Sequence, residues 1–329
     1  MSFKRFDQED IVVSAESVTA PIWSGDEVTL TSFFTASAQV AGTSGDYYYN
    51  IYNAANTSSI QFAIAYGNEH GSGSTAYNSQ VTALSPTSTV YGQYRNLVLG
   101  DEDSSFVFGE VSSSHFYAIS VDRARYKEKL LPGSFNLTLS FGGNSIELTD
   151  NSEIIDTVTF VDSGRVFEIV SGSNGTPYAG TGYTSDSGSY GKFLPDVGVI
   201  LINANALDAP VASGGLALGT QQNVNTPDYN NSRFYDILDS FTLRSEETIT
   251  SNYIFVRARN AEFNYPTNPS LITGSGELRH NVMIDTPQAY VTTVGLYNDN
   301  NDLLGVAKLS RPLLKDFTKE ALIRIKLDY

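Results

Sequence analysis

The stretch Phe135-Asn136-Leu137-Thr138-Leu139-Ser140-Phe141-Gly142-Gly143-Asn144 decides the class of the fold. Its apolar residues occupy every second position, the period of a strand whose successive side chains point to opposite faces. Gly142-Gly143-Asn144 then supplies residues that accept positive φ, as a tight reversal requires. The same pattern recurs outward from this point. Ser59-Ile60-Gln61-Phe62-Ala63-Ile64 alternates, and Gly172-Ser173-Asn174-Gly175 and Asn298-Asp299-Asn300-Asn301 punctuate. The expectation is a mainly β chain of antiparallel β-sandwich-like domains with a few short helices. Three charge-bearing, Gly-poor windows could hold those helices: Val121 to Leu131, Asn231 to Ser245 and Leu313 to Ala321.

Composition narrows the class further. The chain has 329 residues, of which 41% are hydrophobic, 12% aromatic and only 17% charged, too apolar for a disordered chain. No fixed-period repeat is present, which disfavours propellers and solenoids. A length near the limit for one core predicts two domains. The loop-rich stretch 207–227, with Asp208-Ala209-Pro210 and Ser213-Gly214-Gly215, is the expected linker. A Ser/Thr/Tyr-rich β region, 1–206, would precede it and a smaller β module, 228–329, would follow. In that module Tyr290 to Tyr297 and Leu303 to Leu309 read as one hairpin, and Phe317 to Tyr329 supplies a last strand.

Lys and Arg number 20 against 36 Asp and Glu, a formal charge of -16. Binding along a phosphate backbone needs clustered cations, so nucleic acid is not an expected partner. The chain has no Cys, so disulfides, thiolate metal sites and Cys nucleophiles are excluded. The start, Met1 to Asp7, runs into Gln8-Glu9-Asp10 rather than an apolar stretch, unlike a signal peptide. No window reaches the roughly 18 apolar residues of a membrane span, so no membrane is expected.

Candidate chemistry is sparse. His70, His115 and His280 lie apart in sequence without a nucleophile elbow or metal spacing. Gly71-Ser72-Gly73-Ser74-Thr75-Ala76 has a weak dinucleotide-like spacing, but loop-like Tyr77-Asn78-Ser79-Gln80 follows it where a helix should begin. Asp101-Glu102-Asp103 and Asp150-Asn151-Ser152-Glu153 could offer oxygen ligands to Ca²⁺, but neither has EF-hand spacing and solvated turns are the preferred reading. No catalytic, cofactor or metal residue is therefore assigned. The surplus is aromatic: Tyr47-Tyr48-Tyr49-Asn50-Ile51-Tyr52, Tyr91-Gly92-Gln93-Tyr94-Arg95 and Phe116-Tyr117. Such residues pack cores, line subunit contacts or stack on sugars. As candidate interface residues we take Tyr47, Tyr49, Tyr91, Tyr94 and Arg95, with Leu327 and Tyr329 of the last strand.

The phrases Tyr66 to Ser74, Tyr91 to Leu97, Asp122 to Lys129, Leu131 to Leu137, Tyr190 to Ile200 and Tyr290 to Tyr329 together resemble a virion structural protein of T4-like myophages of marine cyanobacteria. The resemblance implies a particle component without enzymatic residues, made in the host cytoplasm and assembled into the virion. Tail or baseplate is the first expectation, and neck or capsid surface the second. It implies other virion proteins as partners, as a homo-oligomer or ring component. A carbohydrate- or receptor-contacting module on the same particle is the competing reading, and a hydrolase the third.

Overall fold

The Phe135–Asn144 pattern forms the hairpin it predicts. The strands Asn136–Phe141 and Asn144–Asp150 pair antiparallel from Asn144 with Phe141 to Thr149 with Asn136. Gly142 and Gly143 turn the chain with φ of 59° and 83°, left-handed values that match the twist of a two-residue hairpin. Leu137 and Leu139 are fully buried, so the alternation read in sequence is the alternation of burial. The structure is a computed structural model; it describes all residues except 1–3, 41–44, 56–58, 76, 79, 81–84, 179–185, 225, 266–267 and 329.

The strands are β1 (Ile11–Pro21), β2 (Thr29–Leu30), β3 (Tyr49–Tyr52), β4 (Ile60–Asn68), β5 (Phe106–Phe108), β6 (Val111–Ser113) and β7 (His115–Val121). They continue with β8 (Lys129–Leu130), β9 (Asn136–Phe141), β10 (Asn144–Asp150), β11 (Thr159–Val161), β12 (Gly164–Ser173), β13 (Thr176–Pro177) and β14 (Gly191–Leu194). The last are β15 (Val199–Asn203), β16 (Leu238–Thr242), β17 (Arg244–Ala258), β18 (Ala289–Tyr297), β19 (Leu303–Lys315) and β20 (Ala321–Asp328). The α-helices are α1 (Pro86–Leu99), α2 (Ala204–Asp208), α3 (Tyr229–Asp236) and α4 (Val282–Asp285).

The chain divides into two units, Val18–Glu247 and a smaller one made of Met1–Ser17 with Thr248–Tyr329. In the larger, a sheet runs in the order β2-β16-β9-β10-β12-β14-β15-β7-β4-β3, with β11 and β13 added on β12. It curls until its ends meet. Phe62 on β4 and Phe241 on β16, each one strand in from an end, have ring centres 5.3 Å apart. Phe34, four residues beyond β2, exchanges 2.9 Å backbone hydrogen bonds with Tyr52 on β3. The concave face encloses the main core, which includes Trp23, Phe135, Phe193, Ile200 and Phe234. Helix α1 covers the outer face of β4, β7 and β15 and builds a second cluster with Phe106, Phe116 and Leu201.

Several expectations need correction. Stretch 207–227 is no linker: Leu207, Leu216 and Leu218 are in the core of the larger unit, and the Leu216 and Leu218 amides both donate to the Leu207 carbonyl. Its Gly, Pro and Asn residues fold a packed loop rather than free one. The division therefore also differs from 1–206 and 228–329, since the C-terminal segment shares its unit with the N-terminus. Of the three helix windows, Asn231–Ser245 contains most of α3 before becoming β16 and the start of β17. Val121–Leu131 yields one 3-10 turn at Arg123–Arg125, and Leu313 belongs to β19, where it pairs with Val291. The hairpin β18–β19 and a last strand, β20, are as expected.

Phe62 is fully buried and meets Trp23 at 5.8 Å and Phe33 at 6.1 Å as well as Phe241. Truncating a core phenylalanine removes apolar burial and leaves a cavity. Phe62→Ala should therefore destabilise the protein by about 3–5 kcal/mol; denaturant unfolding followed by tryptophan fluorescence of Trp23 measures it.

Candidate functional site

The aromatic candidates separate by burial. Tyr49, Tyr91 and Tyr94 are 2%, 1% and 6% exposed, so they belong to the interior and not to an interface. For Tyr91 and Tyr94 the reason is α1, which the sequence reading passed over. Pro86 opens the helix and Gly100 closes it in the left-handed conformation, a pairing of start and stop that fits helix ends. Val90, Tyr91, Tyr94 and Val98 then share one buried stripe. The Arg95 guanidinium lies 5.7 Å from the Tyr91 ring centre, half-exposed at the border of that stripe. Tyr47 is half-buried and lines, with Asp46, Tyr48, Thr89 and Gln93, a shallow groove of about 540 Å³. There the Tyr48 hydroxyl donates to Gln93 Oε1 at 2.6 Å. Leu327 is 40% exposed, and Tyr329 lies outside the described residues.

The chemical candidates differ in their surroundings. The Gly71–Thr75 loop is buried and its amides are committed internally. Asn68 Oδ1 accepts from the His70 and Ser72 amides, and the Gly73 amide donates to the Val224 carbonyl at 3.0 Å. The Gly71, Ser72 and Gly73 amides are thus taken, and among the described residues no helix begins directly after the loop, as a phosphate cradle would need. Asp101 caps its own turn by accepting from the amides of Asp103 and Ser104; these hydrogen bonds, with that from the Ser104 hydroxyl, lower its pKa. Asp150 is buried and accepts from the Gly133 and Ser152 amides, while burial pushes its carboxyl up. Among the described residues no group of three or more His, Asp or Glu side chains is placed to hold a metal ion. His70 and His280 are exposed, and His115 is buried.

The small unit holds the surface that the sequence reading touched only at Leu327. β17 and β20 pair antiparallel from Ser251 with Asp328 to Ala258 with Ala321. Directly opposed residues share a face. One face carries Ile254, Val256, Ile323 and Ile325, which pack with Val294, Leu296 and Ala307 of β18–β19 and with Phe6. The other carries Tyr253 opposite Lys326, Phe255 opposite Arg324 and Arg257 opposite Leu322. The Arg324 guanidinium is 5.7 Å, and the Lys326 ammonium 5.9 Å, from the Tyr253 ring centre. Arg257 pairs with Glu320 at 2.9 Å and Lys326 with Asp328 at 3.0 Å.

Other apolar residues of the small unit stand in solvent. Val13 on β1, Leu304 on β19 and Leu322 on β20 are 63%, 70% and 66% exposed. By sequence the small unit has eleven Lys and Arg against twelve Asp and Glu, whereas the larger has nine against twenty-four. Nearly all the net negative charge thus belongs to the larger unit. The end of β19 is anchored by Lys315, which is fully buried and donates to the Asn260 and Asp316 carbonyls and to Asn264 Oδ1. Those three acceptors satisfy a cation that burial would otherwise penalise heavily.

No family model, curated protein or solved structure matches this chain. The site is therefore defined by its own geometry: a near-neutral sheet with exposed apolar and cation-aromatic residues. No helix among the described residues is long and apolar enough to cross a membrane.

His115 provides a pH test of the larger unit. Burial pulls its pKa down from 6.5 to about 4; the Gln222 amide nitrogen donates to Nε2 at 3.0 Å, and Nδ1 has no partner among the described residues. A ring whose folded pKa lies below its unfolded value leaves stability intact above about pH 6.5 and removes it as pH falls toward 4. The contribution should reach roughly 3 kcal/mol, and His115→Gln should flatten the slope. Asp150 and Asp208, both raised by burial, act in the opposite sense. The measurement is therefore the difference between the two proteins' unfolding free energies across that range.

Proposed function

We propose that this chain is a structural component of a contractile-tailed phage particle, joined to its neighbours through the small unit. The observation that carries the assembly reading is the exposure of Val13, Leu304 and Leu322 in a unit of almost balanced charge. Apolar side chains standing in solvent gain from being covered by a neighbour, and the buried centre of a contact surface is depleted in charge. The virion assignment rests on the resemblance of Tyr66 to Ser74, Tyr190 to Ile200 and Tyr290 to Tyr329 to such particle proteins. Tail or baseplate is the preferred place, with neck or capsid surface as the alternative. The role is assembly without catalysis or cofactor, with other virion proteins or further copies as partners.

A second reading has its own support in the Tyr47–Gln93 groove. A shallow cleft with half-buried tyrosines beside Asp46, Thr89 and Gln93 offers flat apolar surface next to hydrogen-bonding groups, the combination that holds a sugar ring. Glycan contact there is compatible with assembly through the other unit.

Mass spectrometry of purified particles separated into heads and tails tests the first reading. The chain should appear in the tail fraction in stoichiometric amount, and its absence from particles overturns the assignment. For the second, glycan binding that Tyr47→Ala reduces at least tenfold is the expected result. No binding by the unmodified protein removes it.

A further inference from the structure

The geometry points to head-to-tail association in which β1 of one copy lies along β20 of the next, so that the small unit's sheet continues from copy to copy. This rests on the assembly reading above and adds the partner and the pairing. β1 and β20 are the two ends of the order β1-β17-β20. Among the described residues no further strand pairs with the outer edge of either.

β1 is the anomaly that demands an occupant. Ten of its eleven residues are exposed, so both of its faces, as well as its outer edge, are open to solvent. It contains a single charge, Glu16, and its one proline, Pro21, is the last residue. Soluble proteins protect a long apolar edge with charges, prolines or bulges along it, because unpaired N–H and C=O groups recruit another strand. Ile11, Val12 and Val13, at 40%, 49% and 63% exposed, carry neither charge nor proline. Seven residues of β1, Ile11–Ser17, belong to the small unit, nearly the length of the eight-residue β20.

Charge selects which strand pairs with β1. Glu16 is the central residue of Ile11–Pro21, so a centred two-fold pairing of β1 with β1 sets two glutamates opposite each other. Pairing β20 with β20 brings two copies of Arg324 and of Lys326 into one junction. Like charges opposed across a ladder destabilise it, and opposite charges stabilise it. β1 with β20 instead sets the one charge of β1, Glu16, against the cations Arg324 and Lys326. Arg324 has its ring contact with Tyr253 and no ion pair among the described residues. Glu16 already acts electrostatically on Lys326 within one copy. Continuing the sheet brings the next copy's Glu16 to the open flank of β20. A contact between two different edges is heterologous, and repetition closes a ring or extends a filament.

Sedimentation velocity of the purified full-length chain at low salt tests the pairing. The unmodified protein should associate beyond a dimer. Glu16→Lys alone, and Arg324→Glu with Lys326→Glu together, should each weaken association about tenfold, as like charges replace opposite ones. An equimolar mixture of the two variants should regain it. A monomeric unmodified protein, a variant that associates normally, or a mixture that stays dissociated overturns the proposal. Thermal unfolding checks that each variant is folded; should the charge-reversed β20 fail, Arg324→Gln with Lys326→Gln takes its place. Particles play no part in this experiment. Absence of the chain from virions would sink the virion assignment and leave the pairing standing, whereas a failed charge cycle would do the reverse.

Discussion

The indole of Trp23 ties the two ends of a long sheet together, and the larger unit depends on that closure. Its Nε1 donates to the Phe241 carbonyl at 3.0 Å, and its ring packs 5.0 Å from Phe241 and 5.8 Å from Phe62. An open sheet of ten or more twisted strands leaves two long edges and a half-covered face. Curling it around aromatic side chains buries one face, and the backbone exchange between Phe34 and Tyr52 shortens the open edge. The remaining outer face over β4, β7 and β15 is closed by α1. Its packing there is close enough that a Cβ on Gly67 would lie 3.0 Å from the Phe116 ring and 3.3 Å from the Tyr91 Cα.

Within this frame, Asn230, Asp208 and Asp150 fix loops. Asn230 Nδ2 donates to the carbonyls of Gly73 and Gln221, joining two loops distant in sequence. Asp208 accepts from the amide and hydroxyl of Thr220, whose Oγ1 is in turn 2.9 Å from the Tyr117 hydroxyl. A carboxylate needed as a nucleophile or base would keep a free lone pair towards a cleft. Asp208 and Asp150 are turned inward instead, each holding a loop against the core at the expense of a raised pKa.

What could be read from sequence follows the strength of the local code. β9, β10 and the β18–β19 hairpin were legible because alternation and a Gly- or Asn-rich reversal coincide within a few residues. Helix α1 was not, because Ser, Thr, Tyr and Gly92 dilute its propensity; only Ser85-Pro86, Gly100 and the spacing of Val90, Tyr91, Tyr94 and Val98 mark it. Stretch 207–227 has the composition of a linker, and Leu216 and Leu218 were the residues that contradicted this. The actual division, at Ser17 and Glu247, falls inside β1 and β17, where a strand's pattern carries no boundary signal. Tyr91 and Tyr94 against Leu322 and Arg324 illustrate the last limit: burial of an aromatic or exposure of a leucine is decided by tertiary neighbours that local sequence does not name.

The division of charge has a consequence for how such a chain can assemble. Twenty-four acids against nine cations in the larger unit create a field that keeps the protein soluble and opposes contact between two such units. A surface in that unit would have to desolvate carboxylates on both sides of any self-contact, with little attraction in return. The small unit faces no such barrier, since its cations are nearly matched by its own acids, as in Arg257 with Glu320 and Lys326 with Asp328. These exposed pairs contribute little stability, but they lower the net charge that a neighbour meets. Under the proposed assembly, what remains for a neighbour to recognise is backbone along β1, the apolar side chains of Val13 and Leu322, and the Arg324 guanidinium, which has no ion pair among the described residues. Directional hydrogen bonds along an edge then fix register where scattered apolar contacts alone would not.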